Sequence, residues 1–270
     1  MGTGFDATKA QVARVYDYLL GGFESFGADR RQAARLLGIC PSLSIVALEN
    51  RYFLARAVTW AARQGVTQFV DLGAGMPVYK ARTGVLEDVH VTAQTVSPSA
   101  RVAYVDNDPA VLARSRAFRA RTRGVAVTAG DLADPDAVLA DPRLRSVIDL
   151  AQPACFIFGL TLGFVPAELA GDVVAGYAGR AAPGSLVVIS CGRCDDEALW
   201  SQLEDACTAA PVYNHSPADI KGFLADLELV PPGLVAAQNW RAGRADVPST
   251  APESFHVLAG IARRQVAARR

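Results

Sequence analysis

Gln68-Phe-Val-Asp-Leu-Gly-Ala-Gly-Met-Pro77 is the stretch that decides how the chain is read. Phe69-Val70-Asp71-Leu72, apolar but for one acid, has the pattern of a buried strand. It stops at Gly73-Ala74-Gly75, closed by Pro77. Glycines there let the backbone take φ > 0 and let a ligand come close to main-chain atoms. In an α/β sheet, the space outside the carboxyl end of a central strand is where cofactors sit. Gly-x-Gly alone is common in strand–turn connections, so its meaning depends on what surrounds it.

Downstream, strands and helices alternate. Val102–Asp106 predicts a second strand, and Asp108-Pro109 supplies an N-cap and a first-turn proline for a helix over 110–120. Val125–Ala129 is a third strand ending at Gly130-Asp131, and Asp134-Pro135 and Asp141-Pro142 start short helices. Cys155–Leu160 is almost wholly apolar, as in a strand covered on both faces. A helix over Pro166–Ala181 leads to a fifth strand, Ser185–Ser190. The capping box Ser216-Pro217-Ala218-Asp219 opens a helix to Leu227, and Leu229–Val235 and Phe255–Ala262 are the last strands.

Upstream, three helices precede the first strand. The first runs from Thr8, with Val12, Val15, Tyr16, Leu19 and Leu20 at helical spacing, and stops at Gly21-Gly22. The second covers Ala28–Leu37, and the third, capped by Ser42 or Ser44, ends at Gly65. The order predicts an α/β fold with a doubly wound parallel sheet. Residues 1–66 would form an N-terminal helical cap and 67–270 a Rossmann-like domain.

Lys+Arg and Asp+Glu are both 27, so net charge is +0, and nothing predicts a nucleic-acid or membrane-surface footprint. The basic end, Arg263-Arg264 and Arg269-Arg270, is read as a solvated tail. No run of eighteen apolar residues exists, and the start lacks a signal-peptide pattern, so a soluble, cytoplasmic protein is expected. A homodimer is left open. Five cysteines, an odd number, argue against a disulfide framework. Cys191-Gly-Arg-Cys194 has no second pair and no nearby histidine, so it is read as structural and no metal is expected.

Three strand ends now line up: Gly73 and Gly75, then Asp106, then Asp131. A carboxylate after the second strand can accept hydrogen bonds from both hydroxyls of a ribose. After the third strand, Asp131 can accept from an adenine amino group while Leu132 packs on the base. Asp108 and Asp134 are read as helix caps. A nicotinamide dinucleotide would need a third glycine where Val78 stands, and free amides where Pro77 stands. A ligand without phosphates fits better, and S-adenosylmethionine (SAM) is the obvious one.

The chain resembles the S-adenosyl methyltransferase family of largely unassigned substrate found in high-GC bacteria, from about Ala13 to about Ile261. The resemblance is carried by Ala13-Arg-Val-Tyr-Asp-Tyr-Leu-Leu-Gly-Gly22, Ala28-Asp-Arg30, Glu49-Asn-Arg51, Asp71-Leu-Gly-Ala-Gly-Met-Pro77, Val102-Ala-Tyr-Val-Asp-Asn-Asp-Pro109, Asp131-Leu-x-Asp-Pro135, Pro183-Gly-Ser185, Pro232-Gly-Leu234 and Trp240-Arg241. It implies a class I methyltransferase fold, sheet order 3-2-1-4-5-7-6 with the seventh strand antiparallel, and SAM as cofactor. Three departures stand out. Ser25 replaces an Asn in the Gly-Gly-x-x-Asn-Phe turn. Asp88-Val-His-Val-Thr-Ala-Gln94 follows a lengthened spacer, Val78–Glu87, and has Val91 where the family has Glu. Leu162-Gly163-Phe164-Val165 stands where the family reads Leu-His-Phe-Val, which removes a candidate general base.

Methyl transfer from a sulfonium is an in-line displacement, so positioning and exclusion of water account for much of the rate. Arg14, Tyr18 and Gly22 are expected to close over the cofactor, with Arg14 meeting its carboxylate. Asp71 would orient the glycine loop or the ammonium group, and Asn107 extends the ribose end. For a base, His90, Tyr18 and His215 remain, His90 first. Leu162, Phe164, Tyr213 and Trp240 are the expected substrate pocket, its aromatic wall suited to an aromatic or cationic acceptor. The expected function is transfer of a methyl group to a small molecule. The alternative is a protein that holds SAM without transferring its methyl group, as a structural or regulatory binder or a cyclisation or rearrangement catalyst.

Overall fold

The computed structural model describes residues 6–78, 87–242 and 254–265. Three helices come first: α1 (Val12–Leu19), α2 (Gly27–Ile39) and α3 (Leu43–Arg63). The alternating part follows as β1 (Gln68–Leu72), α4 (Val89–Val96), β2 (Arg101–Asp106), α5 (Pro109–Phe118), β3 (Val125–Ala129), α6 (Pro135–Ala140), α7 (Pro142–Arg145) and β4 (Cys155–Gly159). After a 3₁₀ turn (Thr161–Phe164) come α8 (Ala167–Arg180), β5 (Leu186–Cys194), α9 (Glu197–Ala206), α10 (Pro217–Gly222), β6 (Glu228–Leu229), β7 (Val235–Ala236) and β8 (Phe255–Arg263).

The sheet order is β3-β2-β1-β4-β5-β8-β6, with β7 also on β8. The first five strands are parallel, and β8 runs antiparallel to β5 from Leu186↔Arg263 to Cys194↔Phe255. The implied order therefore holds, with β8 standing as the antiparallel seventh strand between β5 and β6. The predicted strand over Leu229–Val235 is instead two short pieces on one edge of β8, paired at Glu228↔Arg263 and Val235↔Ala259. Pro231-Pro232-Gly233 lies between them, and two prolines in a row remove the amides a continuous ladder would use.

Alternation along the strands feeds two cores. Phe69, Tyr104, Ile157 and Val188 face α3 and α4 on one side; Val70, Val105, Phe156 and Ile189 meet α8 residues such as Tyr177 on the other. The predicted caps Asp108 and Asp134 accept hydrogen bonds from Ala110 N and Ala137 N. Ser42, by contrast, makes no side-chain cap; its hydroxyl lies 3.2 Å from Cys40 Sγ.

Strand β5 runs past Ser190 and takes in Cys191–Cys194, where burial pushes the Cys191 thiol up to about 12. No group of three or more metal-binding side chains occurs among the described residues. The helix α9, capped by Asp196 accepting from Leu199 N, was not anticipated. Nor is Arg263-Arg264 a solvated tail: Arg263 ends β8, and Arg264 donates to the carbonyls of Ala178, Gly179 and Ala181 at the end of α8. Arg269-Arg270 lies outside the described residues. No described helix is long and apolar enough to cross a membrane.

Candidate active site

The glycine loop turns through positive φ at Gly73 (73°) and Gly75 (61°). Gly73 N and Ala74 N both donate to Val105 O, 2.9 and 3.0 Å, and Gly75 N donates to Asp106 Oδ2, 2.9 Å. Beneath it lies Arg119, 1% exposed at the end of α5. Its guanidinium donates to the carbonyls of Gly75 (2.9 Å) and Met76 (3.1 Å) and reaches Ala74 O at 3.4 Å. It also makes a two-pronged pair with Asp88, at 2.7 and 3.1 Å, and sits 4.2 Å over the Tyr104 ring. Burial works against the Arg119 charge, but the adjoining Asp88 carboxylate outweighs it and holds the guanidinium above its usual pKa; Asp88, despite its own burial, is lowered in turn. Asp88 Oδ1 further accepts from Val78 N, 3.2 Å. One ion pair thus fixes both ends of the loop.

Around this loop the predicted strand-end residues converge. Asp106 accepts from Gly75 N and, through Oδ1, from Asp108 N at 2.9 Å; burial raises its pKa while these amides pull it down. Asn107 beside it is exposed. Asp131 is exposed and accepts from Ala133 N, 2.9 Å. Leu132 reaches toward the loop: a Cβ on Gly73 would lie 3.7 Å from its Cδ2, and only 2.3 Å from Thr161 Cγ2. Glycine at 73 is therefore what allows β1, β3 and β4 to close on one spot. Thr161 Oγ1 is buried and without a hydrogen-bond partner among the described residues. Asp71, 5% exposed, likewise shows no described hydrogen bond, and burial, against the pull of Arg119 and Arg51, raises its carboxyl to about 6. Arg119, not Asp71, orients the loop.

Over β4 and β5 the chain is strained. Leu160 has φ 64°, unusual for a branched side chain. It is held there by its amide, which donates to Ser190 O (3.1 Å) and Ser190 Oγ (3.0 Å). Ser190 Oγ donates to Asn50 Oδ1 (2.7 Å), Asn50 Nδ2 donates to Tyr16 Oη (2.9 Å), and Tyr16 donates to Ala47 O (3.0 Å). Helices α1 and α3 are thereby tied to the strand ends. The turn that follows brings expected pocket residues together. Tyr213 N donates to Gly163 O (2.8 Å), His215 Nε2 lies 2.9 Å from Leu162 O, and the Tyr213 and His215 rings stack at 6.2 Å. Phe164 is 37% exposed. A Cβ on Gly163 would meet nothing within 4 Å.

The connection between α1 and α2 crosses to α5, where Glu24 pairs with Arg114 at 2.7 Å. Gly22 fits as glycine alone, because a Cβ would sit 2.0 Å from Asp17 Oδ1. Tyr18 is half-buried on α1.

Three expected site residues are engaged elsewhere. Arg14, 1% exposed, pairs with Asp29 at 2.8 Å and donates to Lys9 O; Asp29 also accepts from Gln11 N and Phe26 N, so the pair locks α1 to the start of α2. His90 is packed on β2: its amide and Nδ1 lie 2.9 and 2.8 Å from Tyr104 Oη, Nε2 lies 3.5 Å from Thr122, and burial lowers its pKa. Trp240 is wholly buried between α3 and β8, edge-on to Phe53 and Trp60. It belongs to the core, not to a wall shared with Phe164 and Tyr213.

A family model described as S-adenosyl methyltransferase matches residues 2–265. The chain belongs to that family. A protein of Thermobifida fusca YX assigned as a methyltransferase is 34% identical, with TM-score 0.88 over 97% of both chains. A DUF574 family protein of Streptomyces avermitilis MA-4680 is 30% identical, with TM-score 0.88 over 96% of this chain and 99% of its own. Magnesium protoporphyrin IX methyltransferase of Synechocystis PCC 6803, solved with S-adenosylhomocysteine, shares the fold alone: 11% identity and TM-score 0.53 over 93% of both chains. No curated protein matches the chain.

SAM is the cofactor of this methyltransferase family, and the residues present fit it. The buried Asp71 carboxyl, which makes no described hydrogen bond, and the orphaned Thr161 hydroxyl stand beside the glycine loop, and the bare Cα of Gly73 lets Thr161 and Leu132 close against it. The Gly73, Ala74 and Gly75 N–H groups are already bonded, so they do not offer a phosphate a row of free amides.

Proposed function

We propose that the chain transfers the methyl group of SAM to a small-molecule acceptor, in the cytoplasm, with residues 1–66 acting as the cap and 67–270 as the cofactor domain. The observation that carries this reading is Asp106, fixed by Gly75 N at 2.9 Å and Asp108 N at 2.9 Å beside the glycine loop. Each oxygen keeps a lone pair for a ribose hydroxyl. SAM supplies an electrophilic methyl carbon on a sulfonium. Asp106, with Asn107 alongside, would hold the ribose, Asp131 and Leu132 the adenine, and Asp71 and Thr161 the amino-acid end. The acceptor would lie over β4 and β5, between the α1–α3 cap and the turn carrying Leu162 and Phe164, with Tyr213 behind. Alignment and exclusion of water are what these residues contribute.

Calorimetry with S-adenosylhomocysteine tests the reading. Binding to the wild-type chain, and a loss of about 100-fold in affinity for Asp106→Ala, are expected from removal of a charged acceptor. Unchanged affinity in that variant sinks it. The second reading, SAM held without methyl transfer, is favoured by Gly163, where no imidazole stands. Release of S-adenosylhomocysteine during turnover excludes it.

A further inference from the structure

Glu49 lies on α3, 7% exposed, and neither carboxylate oxygen has a hydrogen-bond partner among the described residues. Buried polar groups are nearly always partnered, and an unpaired buried carboxylate is costly to hold. The arginines of the same helix do not relieve it: Arg51 donates to Glu87 O, and Arg56 donates to Trp240 O and Ala237 O. An unrelieved acid of this kind is expected where a ligand brings the missing partner.

Its position fits a ligand on the acceptor side. Val46 and Phe53, which share a helix face with Glu49 by spacing, belong to the same core cluster as Cys194 at the end of β5 and Phe255 at the start of β8. The next residue, Asn50, is bonded to Ser190, the β5 partner of Gly159 at the end of β4. Asn214, next to Tyr213, is bonded to the backbone of Cys194 through both ends of its amide, at 3.0 and 2.8 Å. Asn50, one residue along α3 from Glu49, and Tyr213 with the 3₁₀ turn that bears Phe164 thus meet at the ends of the same two strands.

We propose that Glu49 anchors the acceptor, receiving a cationic amine carried by an aromatic small molecule. This rests on the small-molecule methyltransferase reading. The amine here is a recognition group, and the aromatic body would lie against Phe164 and Tyr213.

The test uses the full chain loaded with S-adenosylhomocysteine, and benzylamine, tyramine and tryptamine against their uncharged counterparts benzyl alcohol, tyrosol and tryptophol. Ligand-observed NMR titration should show at least one amine binding about tenfold more tightly than its alcohol. Glu49→Gln should remove that preference, Glu49→Asp should keep part of it, and neither should alter S-adenosylhomocysteine affinity. Unliganded Glu49→Gln should melt no lower than wild type, because no hydrogen bond is lost. Absence of any amine preference in the wild-type chain, its survival in Glu49→Gln, or a lower melting point of that variant overturns the assignment. Failure of S-adenosylhomocysteine to bind the wild-type chain would instead strike the underlying reading.

Discussion

At the carboxyl ends of β1 and β2 the loop backbone closes its own hydrogen bonds, with the Asp71 carboxyl as the exception; at β4 and β5 several polar groups are left open. On the first side, the loop amides of Gly73, Ala74 and Gly75 are bonded, and Arg119 takes up the carbonyls beneath. On the second side stand Leu160 in a left-handed conformation, the unpartnered Thr161 hydroxyl and the unpartnered Glu49 carboxylate. The proposed function accounts for the difference by what each side would hold. SAM does not vary, so its cradle can be fixed in advance by protein–protein bonds. In the proposed reading the acceptor completes its side on binding: the Glu49 carboxylate waits for it, and the Thr161 hydroxyl, at the junction, for the amino-acid end of SAM.

The largest effect is expected from breaking the fixed side. Arg119→Met leaves Asp88 buried without its cation and strips the loop carbonyls of their donor. Chemical denaturation should show a loss of about 3–5 kcal/mol, the usual cost of orphaning one member of a buried pair. A change under 1 kcal/mol would mean that the loop is held by its glycines alone.

Asp71 gives the next effect, with opposite sign. In the folded protein its proton is held up to about pH 6, whereas in the unfolded chain it leaves near 3.8. Its contribution is complete below the lower value and is lost as pH rises through the upper one. Asp71→Asn should flatten this fall and, without cofactor at pH 7, stabilise the fold by on the order of 2–3 kcal/mol. The same variant should bind SAM more weakly, as followed by calorimetry. Tyr16→Phe probes the link between the sides by leaving Asn50 Nδ2 and Ala47 O without their partner. A loss of about 1 kcal/mol is expected, read from denaturation midpoints. Smallest is Arg114→Ala: Arg114 is 48% exposed, so the pair with Glu24 should be worth under about 1 kcal/mol and fade in high salt.

What could be read from sequence divides along the same line. An Asp-Pro cap acts on residues next to it in the chain, so Asp108 was legible where it stands, while Gly73 and Asp106 were legible from their places at strand ends even though their bonds run to Val105 and Gly75. Arg119 was not. It looks like any arginine closing a helix, and the carboxylate and loop carbonyls it binds lie 31 to 45 residues away. Glu49 was legible as part of a motif but not as an acid without a partner, because that depends on what every neighbour is doing. Arg14 and His90 have the chemistry of site residues, yet Asp29 and Tyr104 reach them first. Trp240 shows that an aromatic near the end of the chain can serve a core as readily as a pocket wall.

Gly163 carries one more consequence. A side chain added there enters open space, so the position can gain or lose an imidazole without repacking the turn that bears it. With the acceptor over this turn, as proposed, folding and acceptor choice would be decoupled at this residue. Random substitution at 163 should therefore change what the enzyme accepts while the yield of folded protein stays level, which makes it a natural starting point for laboratory evolution of new specificities.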